Sequence, residues 1–561
     1  MSEKQLFHCD PNLKRILQKH LDKEMFEYAE RHLQSFWNLC QNEFDERATH
    51  TDQQGQPKLI KYDRYGNDCS YVWLNEGYKQ TVKQTYNTGI VGYVHKPIPE
   101  LGRRGNYVYS YAQGYLLSQV EPGFYCPVTL TMATAYLLEH YADEALKQKY
   151  LPHVLSTGEV ELYEGATFLT ERQGGSDVGA NETKAVKDGE AYKLYGEKYF
   201  ASNAGACGVA TVLARIEGAE KGTKGLSLFL VPWKKEDGTL NDLSIRRLKD
   251  KLGVRAVPSA EVVLEGATAY LIGEASKGFY YMMEALNLSR VCNAIASIGI
   301  MKRAYDEAKA YADQRNAFGK KLTDYPMIQE TLVELAVKQE VQTSACFELI
   351  SLFDHVMKEP NESSKEEKAL NRLFIALLKM RTAEEAIHFS HEAIEIHGGN
   401  GYIEDFVTPR LLRDAQVLTV WEGTANTLGL EILRLLHKYN IQHLFNEHIE
   451  KMLNTLSNDW RTEINQIKDQ MMKLTELVHH VLKQNKEIQT YYAKKMANQM
   501  CDIYLCAVAL CNAAAGGERE KAIAKLCLRF TWGHSLIHDD LLPLTYFKAI
   551  VLQERNRMLH T

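Results

Sequence analysis

Glu422 stands between a tryptophan and a glycine in VWEGTAN, with no cation beside it in sequence. Burial against an aromatic disfavours the charged form of a carboxyl group. The residue therefore reads as a paired structural group or as a base held ready for one proton. TERQGGSDVG (170–179) joins glycines to Ser176 and Asp177. Such a turn either holds phosphate oxygens on its N–H groups and hydroxyl or is a plain surface turn. It matches neither GxxxxGK[ST] nor GxGxxG. EKYFASNAG (197–205) puts Phe200 and Ser202 on one face of a strand. They could offer a ring to stack and a hydroxyl to donate to a flat heterocycle, or simply pack the strand. In HGGNGY (397–402) the glycines read first as a helix C-cap and His397 as structural. HSLIHDD (534–540) sets His534 and His538 one helical turn apart beside Asp539 and Asp540. It lacks the third soft ligand a zinc site would use, so no metal is expected.

These residues sit in segregated blocks. The first 157 residues read mainly as helix, opened by the cap pair Asp10-Pro11 and interrupted by a polar, turn-rich insert around 51–68. Short runs rich in Val, Leu, Tyr and Phe follow over about 160–272, among them AYKLYGEKYFASN, GVATVLARI, LSLFLVPW and AEVVLEGATAYLI. Helical patterns return from about 275 to 438 and again over the last stretch of the chain. That stretch carries an apolar stripe at Leu453, Leu456, Trp460, Ile464, Ile467, Met471, Leu474, Val478 and Val481. The stripe demands a partner surface, either the rest of the chain or a sister subunit. Segregated blocks argue against an alternating parallel nucleotide-binding fold.

A length of 561 residues allows several domains, and a net charge of -6 is too mild to make nucleic acid or membrane the main partner. The polar start MSEKQLFHCDPNLKRIL shows no signal core, and no run is long and apolar enough for a membrane helix. Eleven cysteines without CxxC pairs fit reduced thiols and a cytoplasmic location.

Six motifs in order resemble the acyl-CoA dehydrogenase family. They are TERQGGSDV, KYFASNAG, LKDKLGVRAVPSAEVVL (248–264), QRNAFGKKL (314–322), IEIHGGNGY and VWEGTAN. The C-terminal extension, Arg-Gln before GGSD, and YCPVTLTMA (125–133) are similar to the AidB-like, adaptive-response branch. The resemblance implies a multidomain α+β fold: a helical N-terminal domain (1–157), a middle β-domain (158–272), a helical bundle (273–438) and an extra helical domain (439–561). It implies FAD between the middle domain and the bundle. Phe168, Leu169 and Thr170 would line the flavin, and Gly175 and Ser176 would meet the phosphates. Phe200 would cover one face of the ring in place of the family's tryptophan, and Ser202 would bond near N5 in place of threonine. Arg315 and Phe318 would reach the FAD of a neighbouring subunit, making the protein a homo-oligomer, dimer or tetramer. Glu395, Gly399, Thr424 and Asn426 would complete the adenine side.

Glu422 falls on the family's catalytic base, which takes the α-proton of an acyl-CoA thioester while the β-hydride leaves for flavin N5. The alternative position for that base holds Ser289 here, before Arg290, which would support the electrostatics of the base. Asn287, Pro326 and Glu395 depart from the family's aspartate and two glutamines. The implied partners are an acyl-CoA substrate and an electron-transfer flavoprotein, with fatty acid metabolism as the setting. The competing reading is a flavoprotein that binds or protects nucleic acid, with weak dehydrogenase activity. The segment 440–561 argues against it, since fifteen Lys and Arg face thirteen Asp and Glu without forming a stripe.

Overall fold

The computed structural model describes residues 5–358, 362–533 and 540–553, so His534, His538 and Asp539 lie outside the described residues. The chain divides into two compact units. One runs from Leu21 to Cys292; the other joins the residues up to His20 with those from Asn293 onward.

In the Leu21–Cys292 unit, Asp22, Asn75, Asn106 and Asp143 each accept a hydrogen bond from the N–H three residues on. They cap helices Lys23–Leu39, Glu76–Asn87, Tyr107–Ser118 and Glu144–Val154, satisfying donors that a first turn leaves free. Helix Tyr107–Ser118 is buried along its whole length and Pro122–Tyr141 along most of it, as apolar-all-round helices must be. The turn-rich insert differs from its expected form, because it leads into a β-hairpin of Lys58–Tyr62 with Asp68–Trp73. Its turn is made by Asp63, whose carboxylate accepts the N–H groups of Tyr65 and Asn67, and by Gly66 at φ 84. Ser70 and Val72 then point inward and Tyr71 outward, the alternation of a strand.

A barrel follows. Strand Ser259–Ile272 pairs with Ala191–Ser202, which pairs with Lys184–Asp188, then Val209–Ile216, then Leu226–Pro232, which returns to Ser259–Ile272. Leu243–Leu248 and Gly165–Phe168 extend it as side strands. Closing the path leaves few open edges, the liability of sheets this size. Bulges at Ala260/Val262 and Glu265/Ala267, the second beside Gly266 at φ 98, bend the longest strand around the barrel. Alanines, valines and leucines fill the interior with Phe168, Phe229 and Trp233.

The second unit is helical. From Asn293 the helix Gly278–Gln314 continues into it, followed by Pro326–Lys358, Lys365–His397, Thr408–Leu418 and Ala425–Tyr439. Of the apolar stripe, Leu453, Trp460, Ile467, Met471, Leu474, Val478 and Val481 are buried. Helix Lys486–Ala515 covers it and also packs on Ala425–Tyr439, Lys365–His397 and Pro326–Lys358, so the stripe finds its partner within this unit. Glu340 is a further junction. It accepts both arms of the Arg519 guanidinium and lies 3.6 Å from Arg15; burial pushes its carboxyl up, but Arg519, Arg15 and Lys302 together hold it below the usual range. Arg15 pairs in turn with Glu520. Helices Pro11–His20 and Glu518–Trp532, from opposite ends of the chain, thereby meet over one carboxylate of Pro326–Lys358.

Candidate active site

Thr170 to Asn181 form a pinned loop. Glu171 is the pin: its carboxylate accepts the N–H groups of Glu182 (2.6 Å) and Thr183 (3.2 Å), the Thr183 hydroxyl (2.6 Å) and the Lys198 ammonium (2.7 Å). Lys198 is wholly buried on strand Ala191–Ser202 and also donates to the Leu213 carbonyl. Burial pushes the Glu171 carboxyl up and the Lys198 ammonium down; Lys198 and the other donors still hold the carboxyl below its ordinary value, and the Glu171 and Leu213 oxygens that meet the ammonium keep the pair ionised. Tyr199 N–H bonds to the Thr170 carbonyl at 2.9 Å, and Asn181 donates to the Leu169 carbonyl at 2.8 Å, tying the loop to the barrel.

Of the residues expected on this side, Leu169 and Thr170 are half-buried and Gly175 and Ser176 exposed. The Phe168 ring packs in the barrel core. A Cβ on Gly175 would lie 2.6 Å from Thr170 Oγ, so the turn is close-fitted to glycine. Phe200 is 55% exposed, with the Lys249 ammonium 4.8 Å from its ring centre, and half-buried Ser202 lies 3.5 Å from Ser259 Oγ. An exposed ring and a hydroxyl on a strand that Tyr199 ties to the glycine loop are parts that a flat heterocycle with a phosphate tail would use. Arg290 is buried and donates to Asn287 Oδ1 one turn earlier. Another carboxylate of this unit is strongly perturbed: burial pushes Glu164 up to about 7, against the hydrogen bond from Tyr86 Oη at 3.0 Å.

The helical unit holds Glu422. Helix Thr408–Leu418 ends, Trp421 N–H reaches back to the Val417 carbonyl, and the chain then turns through two left-handed residues, Glu422 at φ 54 and Gly423 at φ 105. Thr424 begins the next helix, Ala425–Tyr439, in extended conformation. Left-handed backbone is natural for glycine and strained for glutamate, at roughly 1–3 kcal/mol. Glu422 and Trp421 are both half-buried, and Glu422 Oε2 accepts from Asn293 Nδ2 at 2.9 Å. Lys379 Nζ donates to the Gly423 carbonyl at 2.7 Å. Thr424 and Asn426 are exposed at the helix start, and Glu395 and Gly399 are exposed about the end of helix Lys365–His397. Arg315 precedes a small hairpin of Asn316–Ala317 with Lys320–Lys321, and Phe318, at φ 51 in its turn, is 98% exposed. His397 is buried, bonds through Nδ1 to the Ala393 carbonyl at 2.7 Å and stacks on Tyr311, the structural role read from its place before the glycines.

Lys379 and Asn293 were not among the residues singled out in sequence. Their signal is a lone polar residue within an apolar helical run, LFIALLKM and RVCNAIA.

Family models agree with this architecture. The AidB N-terminal domain of the adaptive response protein matches residues 1–158, the acyl-CoA dehydrogenase middle domain 166–267 and the acyl-CoA dehydrogenase C-terminal domain 276–437. The chain belongs to the acyl-CoA dehydrogenase family, in its AidB-like branch. Acyl-CoA dehydrogenase family member 11 of Caenorhabditis elegans is 31% identical over 492 residues, 85% of this chain and 77% of that protein. AidB of Escherichia coli is 32% identical over 392 residues, 68% of this chain and 69% of that one. Among solved structures, C. elegans ACDH-11 in complex with C11-CoA superposes with a TM-score of 0.87 at 26% identity, covering 99% of this chain and 97% of that chain.

Proposed function

We propose that this protein is an FAD-dependent acyl-CoA dehydrogenase that forms the α,β double bond of an acyl-CoA thioester, with Glu422 as the base. Glu422 carries the reading: it is a half-buried carboxylate on a strained left-handed turn, with one oxygen anchored by Asn293. Strain of that kind persists where the surroundings over-determine it, and it clusters at functional sites. Carboxylate oxygens held in one place suit removal of a carbon-bound proton, which needs a base aimed at a single atom.

FAD, when bound, supplies the acceptor for the β-hydride. Gly175 and Ser176 would meet its phosphates, and Leu169 and Thr170 would line its flavin side; Phe200 would cover the ring and Ser202 bond beside it. Thr424 and Asn426, at the start of a fifteen-residue helix, would face its adenine half with Glu395 and Gly399. Arg315 and the exposed ring of Phe318 would be covered by a second copy of the chain in a homo-oligomer. An electron-transfer flavoprotein is the proposed reoxidant.

The test is anaerobic titration with a panel of acyl-CoA thioesters while flavin bleaching is followed, repeated on Glu422→Gln. The substitution is expected to keep the flavin and lower the reduction rate by at least ~10⁴-fold, the upper end for an acid–base group. A loss under about tenfold places the base elsewhere.

A further inference from the structure

We propose that Lys379 and Asn293 are positioning residues that together clamp the Glu422 turn, one through the main chain and one through the carboxylate; the proposal rests on the reading of Glu422 as base. Lys379 is 1% exposed, on helix Lys365–His397 among Leu377, Leu378 and Met380. A lysine at such a depth is out of place as packing, because burying an ammonium is expensive unless acceptors meet it. One acceptor is the Gly423 carbonyl at 2.7 Å. That bond fixes the peptide plane that follows Gly423, itself left-handed at φ 105, and so resists relaxation of the strained turn.

Asn293 acts at the other end. It is 4% exposed, and its Nδ2 donates both to Glu422 Oε2 (2.9 Å) and to the Leu418 carbonyl (3.1 Å). Leu418 closes helix Thr408–Leu418, whose last carbonyls have no partner within the helix. One amide group therefore satisfies a helix end and ties the carboxylate to it. With the backbone held by Lys379 and the carboxylate by Asn293, Glu422 can neither swing nor unwind its turn.

Displacing a reacting group by about 1 Å can slow a reaction ~10²-fold. Lys379→Met and Asn293→Ala are each expected to lower the limiting rate of flavin reduction by roughly that factor, leaving FAD content and acyl-CoA dissociation near their starting values. The discriminating measurement is the same pair of substitutions in a Glu422→Gln background. A residue acting through Glu422 has nothing left to position there, so the residual rate should not fall further. Equal losses in both backgrounds, or no loss in the otherwise unaltered chain, overturns the proposal. If Glu422→Gln alone retains its rate, the reading of the base fails instead, and this is seen before the other variants are made. Should Lys379→Met not fold, Asn293→Ala decides the question by the same comparison.

Discussion

Replacing Lys198 by methionine tests how the Thr170–Asn181 loop is held. The substitution keeps an unbranched side chain of similar length and removes one charge from a pair in which Lys198 is 0% and Glu171 4% exposed. Removing one partner of a buried ion pair destabilises a protein by ~3–5 kcal/mol, because the other charge is left uncompensated. Here Glu171 keeps the N–H groups of Glu182 and Thr183 and the Thr183 hydroxyl, which places the expected loss near the lower end, about 3 kcal/mol. The pH dependence has a definite sign. The native Glu171 carboxyl is held below its ordinary value, so the stability it contributes is present above that value and is lost as pH falls through the native one. Without the ammonium the carboxyl takes up a proton more readily, so the gap between the two proteins must narrow on acidification. Urea unfolding followed by circular dichroism at neutral pH and near pH 5 measures both effects, with flavin retention as a parallel readout of the loop. Adding Glu171→Gln to Lys198→Met should recover part of the loss, since it removes the orphaned charge. A loss below about 1 kcal/mol, or one that stays the same at both pH values, would refute the argument that the pair pins the loop.

Glu164→Gln should raise stability above neutral pH. The carboxyl is pushed from 4.5 to about 7 by burial, so stability present below 4.5 is lost as pH rises through 7, about 3 kcal/mol at ~1.4 kcal/mol per pH unit, and glutamine removes that loss. Unfolding midpoints at pH 5 and 8 check it, and parallel curves for both proteins would count against it. Ending the chain near Tyr439 should yield an aggregating product, because helix Lys486–Ala515 covers faces of three helices of the dehydrogenase region. Duplex DNA should bind the full chain no better than ~10⁻⁴–10⁻⁶ M, the non-specific range. Tight, salt-sensitive binding would instead favour a nucleic-acid-protecting role.

Much of this was legible in the sequence. Quoted runs such as GVATVLARI and LSLFLVPW lie on barrel strands, and the stripe from Leu453 to Val481 faces inward, because period-2 and helical patterns are local properties. Closure of the barrel was not legible, since strand pairing joins segments far apart in the chain. Nor was the bulge at the Glu-Gly pair inside AEVVLEGATAYLI, which bends one long strand without ending it. The hairpin at 58–73 hid behind its own Asp, Gly and Asn turn signals. At the site, Glu422 stood out as an isolated carboxylate, but its left-handed backbone did not, because Gly423 alone would explain a turn there. Lys379 and Asn293 sit 44 and 129 positions from their partners, beyond the reach of spacing arguments.

The meeting of Arg15, Glu340 and Arg519 has a consequence for the order in which the chain is made. Helix Pro11–His20 is among the first to leave the ribosome, yet it belongs with residues from Asn293 onward. The unit from Leu21 to Cys292 can close while that helix still has nothing to dock on. At ~5–20 residues per second, the helix it docks on, Pro326–Lys358, is complete only some tens of seconds after Arg15, and Arg519 follows later still. For that interval the apolar face formed by Leu13, Ile16 and Leu17 is a dangling, amphipathic end, open to chaperones or to the same helix on a neighbouring nascent chain. The finished protein buries a helix made early only once a much later one has emerged.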